Sequence, residues 1–238
     1  MQRITLQKYA VMSILTMSFV ALTPRAFSQA PNPELQQKVA ALKQALDQNK
    51  QALSQYTWGE TRQMILKGDV KSTQLFQCQY GPDGKVQKSP IGAPQPPPSH
   101  KRGLKSRVVE KKTGEMKDYM EQVASLIKFY VPPSRAQIQN SFQSGKASIQ
   151  PQGNGLVTLV FRDYAVPGDS MSVTIDGASN KIRSFVVNTY LNDPSQVVTL
   201  NAVFQSLPDG TNYVAQTVLD ATAKQIQIRT TSASFNKI

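Results

Sequence analysis

The chain is poor in the residues from which many catalytic and metal sites are built. Its 238 residues include one Cys, one His and one Trp. One Cys and one His exclude a Cys/His zinc cluster, a CxxC redox pair and a disulfide framework. With 39% hydrophobic residues, the composition fits neither a disordered chain nor a multi-span membrane protein. We therefore predict no metal site and no cofactor.

The single imidazole and the single thiol are both in poor settings for catalysis. His100 precedes Lys101 at the end of a Pro-rich stretch, and a flexible loop is a poor mount for a general base. Cys78 alternates with Phe76 and Tyr80, a pattern typical of a buried, small apolar residue. We predict no catalytic residue, and the pattern argues against an enzyme.

The first thirty residues have the parts of a secretory signal peptide. Arg3 and Lys8 precede an apolar run over residues 10–22, and small residues at 26–30 suit signal peptidase. The alternative is a membrane anchor, but spanning a bilayer takes about 20 apolar residues. We predict a signal peptide over residues 1–30, a periplasmic or secreted location, and one domain over 31–238. Removing the leader lowers the net charge from +12 to +9.

Periodicity along the mature chain predicts helices and strands in separate blocks. An amphipathic helix follows Asn32-Pro33 and reaches about residue 55, and three strands with period two follow it. Residues 92–112 are predicted as a Pro-rich basic loop, within which Ser106–Val109 has an alternative reading as a strand. Helices are then expected at 116–130 and 135–143. From Ala147 onward, evenly spaced strands with tight turns predict an antiparallel meander in sequential order.

These blocks define an α+β fold. We predict one large, curved antiparallel sheet, an incomplete β-barrel, covered by the N-terminal helix and two inserted helices. A single sheet buries only one face on itself, so the helices must cover what remains. The helix at 116–130 places seven large side chains on one stripe, which is too much apolar surface to leave undocked.

A basic segment is the most unusual surface feature of the sequence. One interpretation is a solvated, charged edge that blocks sheet-to-sheet aggregation. The other is attraction to an anionic membrane surface or a partner. Nucleic acid is not expected, because aromatic residues are not interleaved with the cations. The residues of this predicted membrane or partner surface are Lys101, Arg102, Lys105, Arg107, Lys111 and Lys112.

The order of elements resembles the periplasmic lipoprotein-carrier superfamily (LolA/LolB-like). The resemblance lies in residues 42–65, where a helix gives way to a strand carrying Trp58, Glu60 and Arg62, and in the closing strands over 197–238. It implies an incomplete β-barrel with a helical lid that holds acyl chains in between. It also implies that Arg62 faces the lid.

We therefore predict a periplasmic or secreted binding protein for a lipid or lipoprotein acyl chain held between sheet and helices. The alternative is an envelope protein-interaction or regulatory module that uses a strand edge or the basic segment and binds no small ligand. A dry core without a ligand is the competing interpretation of the same apolar residues. No oligomeric state is predicted. The predicted ligand-binding residues are Trp58, Arg62, Met64, Met116, Met120, Leu126 and Ile127.

Overall fold

A computed structural model describes residues 33–92 and 104–238 and confirms the α+β class. The helices are α1 (Pro33–Leu53), α2 (Leu104–Ile127) and α3 (Arg135–Gln143). The strands are β1 (Tyr56–Leu66), β2 (Asp69–Tyr80), β3 (Val86–Ile91), β4 (Ala147–Gly153), β5 (Leu156–Arg162), β6 (Ser170–Asp176), β7 (Ile182–Tyr190), β8 (Val197–Ser206), β9 (Asn212–Ala221) and β10 (Ile226–Lys237). A single 3-10 turn, Thr222–Lys224, joins β9 to β10.

The ten strands of the described residues form one antiparallel sheet in the order β3-β2-β1-β10-β9-β8-β7-β6-β5-β4. Strands β4 to β10 follow one another in sequence, which confirms the predicted meander. Strand β1 pairs with β10, so the three N-terminal strands extend the sheet beyond the last strand of the chain. Because β3 and β4 are the two ends of the order and do not pair with each other, the sheet stays open.

Two-residue turns fix the register at two hairpins. Lys67 and Gly68 join β1 to β2, and Asn154 and Gly155 join β4 to β5. All four residues have φ between +49° and +85°. A turn with positive φ at both central residues matches the right-handed twist of paired strands, and Gly or Asn adopts that conformation at low cost.

The second helix is longer than the sequence predicts. It begins at Leu104 rather than near Met116, so residues 104–112 are helical. This corrects the part of the predicted 92–112 loop that covers residues 104–112, and with it the alternative strand at Ser106–Val109. Six of the nine residues at 104–112 are Leu, Lys, Arg or Glu, which favour helix, and charge alone does not prevent helix formation. Residues 93–103, including His100, lie outside the described part of the chain.

The predicted run of strands from Ala147 onward is confirmed: β4, Ala147–Gly153, begins it, and β10 continues to Lys237.

A continuous apolar row crosses the face of the sheet that carries the core, which we call the inner face. Its members are cross-strand neighbours from β4 to β1, and all belong to one hydrophobic cluster. They are Ala147, Phe161, Met171, Val187, Leu200, Leu219, Ile228 and Met64. Burying each large member contributes about 1.5–3 kcal/mol, so this row and the helix packed on it form the main source of stability.

Helix α2 covers part of the inner face. Tyr119, Val123, Leu126 and Tyr130 recur at helical spacing and are buried in the same cluster. Strands β3 and β4 lie at opposite edges, so the chain between them, which contains α2 and α3, runs from one side of the sheet to the other. Among the described residues, no helix is long and apolar enough to span a membrane.

Helix α1 is joined to the sheet near the start of β9 by an amide pair. Asn49 Nδ2 donates to the carbonyl oxygen of Asn212 over 2.8 Å, and Asn212 N–H donates to Asn49 Oδ1 over 2.6 Å. The Asn212 side chain in turn donates to the carbonyl oxygen of Ile182 at the start of β7. The buried amide thus links three elements that are far apart in sequence.

Candidate ligand-binding site

Five of the seven predicted ligand-binding residues meet between α2 and the inner face. We call this group, Met64, Met116, Met120, Leu126 and Ile127, the helix–sheet interface. Leu126 is buried, and the other four are half-buried against the same hydrophobic cluster. The remaining two, Trp58 and Arg62, lie on β1 on the same side of the strand as Met64, outside that cluster.

A second row of cross-strand neighbours runs beside the apolar row on the inner face. It is apolar at one end and polar at the other. This neighbouring row is apolar from β5 to β8, where it holds Leu159, Val173, Phe185 and Ala202. From β9 to β2 the same row holds Thr217, Thr230, Arg62 and Gln74. We call these four residues the polar row. The inner face therefore presents an apolar surface beside a polar one that carries a cation.

A charged cluster borders the polar row. Glu60 is only 6% exposed, and Lys88 Nζ lies 2.6 and 2.5 Å from its two carboxylate oxygens. Arg62 Nη2 is 3.4 Å from Glu60 Oε1, and its guanidinium lies 5.2 Å from the centre of the Phe76 ring. Two cations share one carboxylate, so the cluster carries a net positive charge.

The spacing of Glu60 and Arg62 places both side chains on one face of β1, but nothing in the local sequence indicates the closer contact of Glu60 with Lys88. Glu60 and Arg62 are two residues apart on one strand, whereas Lys88 comes from β3, 28 positions away. Only the register of the β1–β2–β3 hairpins brings the lysine to the carboxylate, and no local pattern indicates it.

Cys78 and Trp58 are both packed in the interior of the protein. Cys78 is fully buried, as predicted, and burial together with the charge of Glu60 raises the pKa of its thiol. Trp58 stacks on Phe235 with ring centroids 5.8 Å apart and also contacts Tyr80. A register shift in β10, where Ser234 has φ +56°, accompanies this stacking. Trp58 is therefore packed among aromatic rings.

A hydrogen-bonded group fixes the C-terminal end of α2; we call it the Tyr130 anchor. Asp169 is 3% exposed and accepts hydrogen bonds from the N–H groups of Tyr164, Ala165 and Val166 and from the Tyr130 hydroxyl. Tyr130 Oη also lies 2.9 Å from Thr189 Oγ1 on β7. Burial, and secondly the bond to Asp169, raise the pKa of Tyr130, so its hydroxyl stays protonated.

Three aspartates near strand ends, Asp163, Asp169 and Asp176, serve their own turns. Asp163 accepts from Gly168 N–H, Asp176 from Ala178 and Ser179, and Asp169 from the loop before it. Within residues 33–92 and 104–238, no group of three or more acidic, His or Cys side chains is arranged to hold a metal ion.

An open groove of about 540 Å³ lies beside α2 rather than beneath it. Exposed residues of the helix, among them Glu121 and Ser125, form one wall together with Phe129 in the turn after it, and the turn at Leu191–Asn192 forms the other. The mixture of acidic and apolar side chains does not match the apolar lining expected for an acyl chain.

The predicted basic surface falls largely outside the described side chains. Lys101 and Arg102 precede the described part of the chain, and Lys105, Arg107, Lys111 and Lys112 lie on the first turns of α2. The structure describes only their helical backbone, so the membrane or partner role stays a prediction.

The fold thus belongs to the α+β class, with an open, curved antiparallel sheet and helices over its inner face. No protein-family model and no curated protein matches the chain. Among solved structures, the chain is similar to a DUF1329 family protein from Desulfovibrio piger, with 12% identity and a TM-score of 0.37. The match covers 84% of this chain and 92% of that one. A likeness of that size does not extend to ligand or activity.

Proposed function

We propose that this protein binds the acyl chain of a lipid or lipoprotein between α2 and the inner face of the sheet. The observation that carries the proposal is the division of the inner face into an apolar part and the polar row. An amphipathic ligand matches that division, because its chain needs apolar surface and its head group needs polar partners.

The helix–sheet interface has the side chains that such binding requires. Met64, Met116 and Met120 are half-buried there, and methionine adapts its shape because it is unbranched and has three rotatable bonds. Each methylene of a bound chain that leaves water contributes about 0.8 kcal/mol. Val123 and Tyr130, nearer the C-terminal end of α2, are fully buried. The part of the helix–sheet interface that the three methionines form is therefore the more adaptable place for a ligand.

The site of action that we propose is the periplasm or the extracellular space, on the basis of the leader at residues 1–30. We further propose that the basic segment attracts the protein to anionic membranes, since each cation near such a surface contributes about 1 kcal/mol. Reversing the charge of Lys105 and Arg107 should weaken binding to vesicles containing phosphatidylglycerol. Vesicle binding that is unchanged by this reversal contradicts the membrane role.

Uptake of a fluorescent fatty acid tests the binding function. Delipidated mature protein is titrated with cis-parinaric acid, and saturable fluorescence enhancement is expected. Met120→Asn should weaken uptake severalfold, because it places an amide where the chain lies. The matched control is Phe129→Asn, since Phe129 is 59% exposed and lines the groove from the turn that follows α2. Absence of saturable uptake by the unmodified protein contradicts the proposal.

The alternative function, a protein-interaction module, is supported by a different surface. Leu75 and Ile91 are cross-strand neighbours on β2 and β3 and are 48% and 50% exposed. If this surface binds a protein partner, Leu75→Ser with Ile91→Ser should abolish partner capture and leave fatty-acid uptake intact.

The strand edges themselves are poor docking sites. Along an edge strand, backbone N–H groups point alternately toward the sheet and away from it. The hydrogen bonds from Gly81 N–H to Lys85 O and from Arg162 N–H to Lys146 O show which residues of β3 and β4 point toward it. In that alternation, Pro90 on β3 and Pro151 on β4 occupy positions whose nitrogen faces away from the sheet. Proline offers no N–H to an added strand, so both edges are protected against strand addition.

A further inference from the structure

Tyr119 has the one buried side-chain polar atom without a hydrogen-bond partner among the described residues. The residue is 8% exposed and lies on the buried stripe of α2, three residues after Met116 and one before Met120. Tyr119 belongs to the hydrophobic cluster between α2 and the inner face, so its buried hydroxyl is enclosed in apolar surroundings.

Other tyrosines of the protein show how differently this hydroxyl is placed. Tyr130 donates to Asp169, Tyr190 to the carbonyl oxygen of Pro167, and Tyr213 to Gln205. A buried hydroxyl without a partner is costly, and native proteins nearly always satisfy such groups with protein, water or ligand. Burial also raises the pKa of Tyr119, so the phenol keeps its proton at neutral pH and is available as a donor.

We propose that Tyr119 Oη donates a hydrogen bond to the carbonyl or carboxylate oxygen of the bound acyl ligand. This inference rests on the proposed function and narrows the ligand class: the site selects fatty acids or acyl esters over plain hydrocarbons of the same length. One directional donor within an apolar lining is the usual composition of a small-molecule site. The methionines on either side contact the chain, and the phenol fixes the position of its oxygen-bearing end.

Competition binding with Tyr119→Phe tests this assignment. Displacement of N-phenyl-1-naphthylamine, which carries no carbonyl group, is measured with palmitic acid, methyl palmitate and hexadecane. Losing one buried hydrogen bond should weaken palmitate or methyl palmitate binding about tenfold and leave hexadecane unchanged. The matched control is Tyr213→Phe, whose hydroxyl bonds to Gln205 away from α2, and which should leave all three affinities unchanged.

The possible results separate this inference from the function on which it rests. If the unmodified protein binds none of the three compounds, the proposed function fails and the inference fails with it. If it binds palmitate and Tyr119→Phe binds equally well, the function stands and the hydroxyl is satisfied by water instead. Equal weakening toward hexadecane also overturns the inference, because it shows a packing effect. A urea midpoint of Tyr119→Phe at or above that of the unmodified protein confirms that the variant is folded.

Discussion

Replacing Asp169 with Asn removes the acceptor on which the Tyr130 anchor depends. One carboxylate oxygen accepts from Tyr164 N–H, and the other accepts from Ala165, Val166 and the Tyr130 hydroxyl. An amide keeps only one of these oxygens. In its better orientation it keeps the oxygen with three donors and turns its own NH2 group toward Tyr164 N–H.

The magnitude follows from those contacts. One buried backbone donor loses its partner, which costs about 1–3 kcal/mol. The three remaining bonds change from charge-assisted to neutral, and each becomes weaker by roughly 1 kcal/mol. We expect Asp169→Asn to lower the free energy of unfolding by about 4–6 kcal/mol, a large part of the 5–15 kcal/mol typical of a folded protein.

Urea unfolding followed through the fluorescence of Trp58, the single tryptophan, measures this change. With an m value of about 2 kcal/mol/M, the midpoint should fall by roughly 2–3 M. The matched control is Asp163→Asn in the same loop, where the carboxylate is exposed and accepts from Gly168 N–H. A midpoint for Asp169→Asn no lower than that of the control refutes the reasoning, because the buried acceptor is then dispensable.

Three further predictions concern other parts of the molecule. Lys88→Met leaves buried Glu60 with only the 3.4 Å contact to Arg62 and should destabilise the protein by about 2–4 kcal/mol in urea unfolding. The control Lys85→Met, at an exposed lysine, should have little effect. Equal destabilisation by the two variants contradicts the importance of the Lys88–Glu60 contact. The hydrogen bond from Tyr56 is the largest cause of the low pKa of Asp209, which is about 2 instead of the usual 3.8. The stability that the ionised Asp209 supplies is therefore present above pH 4 and is lost as the pH falls through 2. In Tyr56→Phe, an NMR titration should show that pKa rising toward 3.8, and an unchanged value excludes the bond as its cause. The double variant Pro90→Thr and Pro151→Thr restores outward N–H groups on β3 and β4 and should increase self-association in light scattering. The control Pro208→Thr, in a turn, should not. A double variant that remains monomeric contradicts the protection of the edges by proline.

Local patterns in the sequence are enough to predict much of the fold. The stripe of α2 and the alternation of the strands are visible because neighbouring positions decide which side of an element is apolar. The burial of Cys78 follows from its alternation with Phe76 and Tyr80, and the pairing of Glu60 with Arg62 follows from their spacing. The start of α2 is missed because a run of cations resembles a solvated loop while its helix propensity is high.

Contacts between distant strands could not be predicted in this way. Lys88 reaches Glu60 only through the register of two hairpins, and Asp169 reaches Tyr130 across 39 positions. The change from Ala202 to Thr217 and Arg62 along one inner row depends on the pairing of β9 with β10 and of β10 with β1. A sequence pattern shows which face a residue occupies on its own strand, but not which residue of another strand lies beside it.

The sequence by itself therefore determines the amphipathic helices, the alternating strands and the scarcity of catalytic residue types, and it predicts a leader. Tertiary structure decides that β1 joins β10, that the inner face is apolar in one part and polar in another, and that Tyr119 is enclosed without a partner. The physical reason is the separation along the chain over which each effect acts. Periodicity arises from backbone geometry within a few residues, whereas the environment of a side chain is set by register and packing between segments that are far apart along the chain.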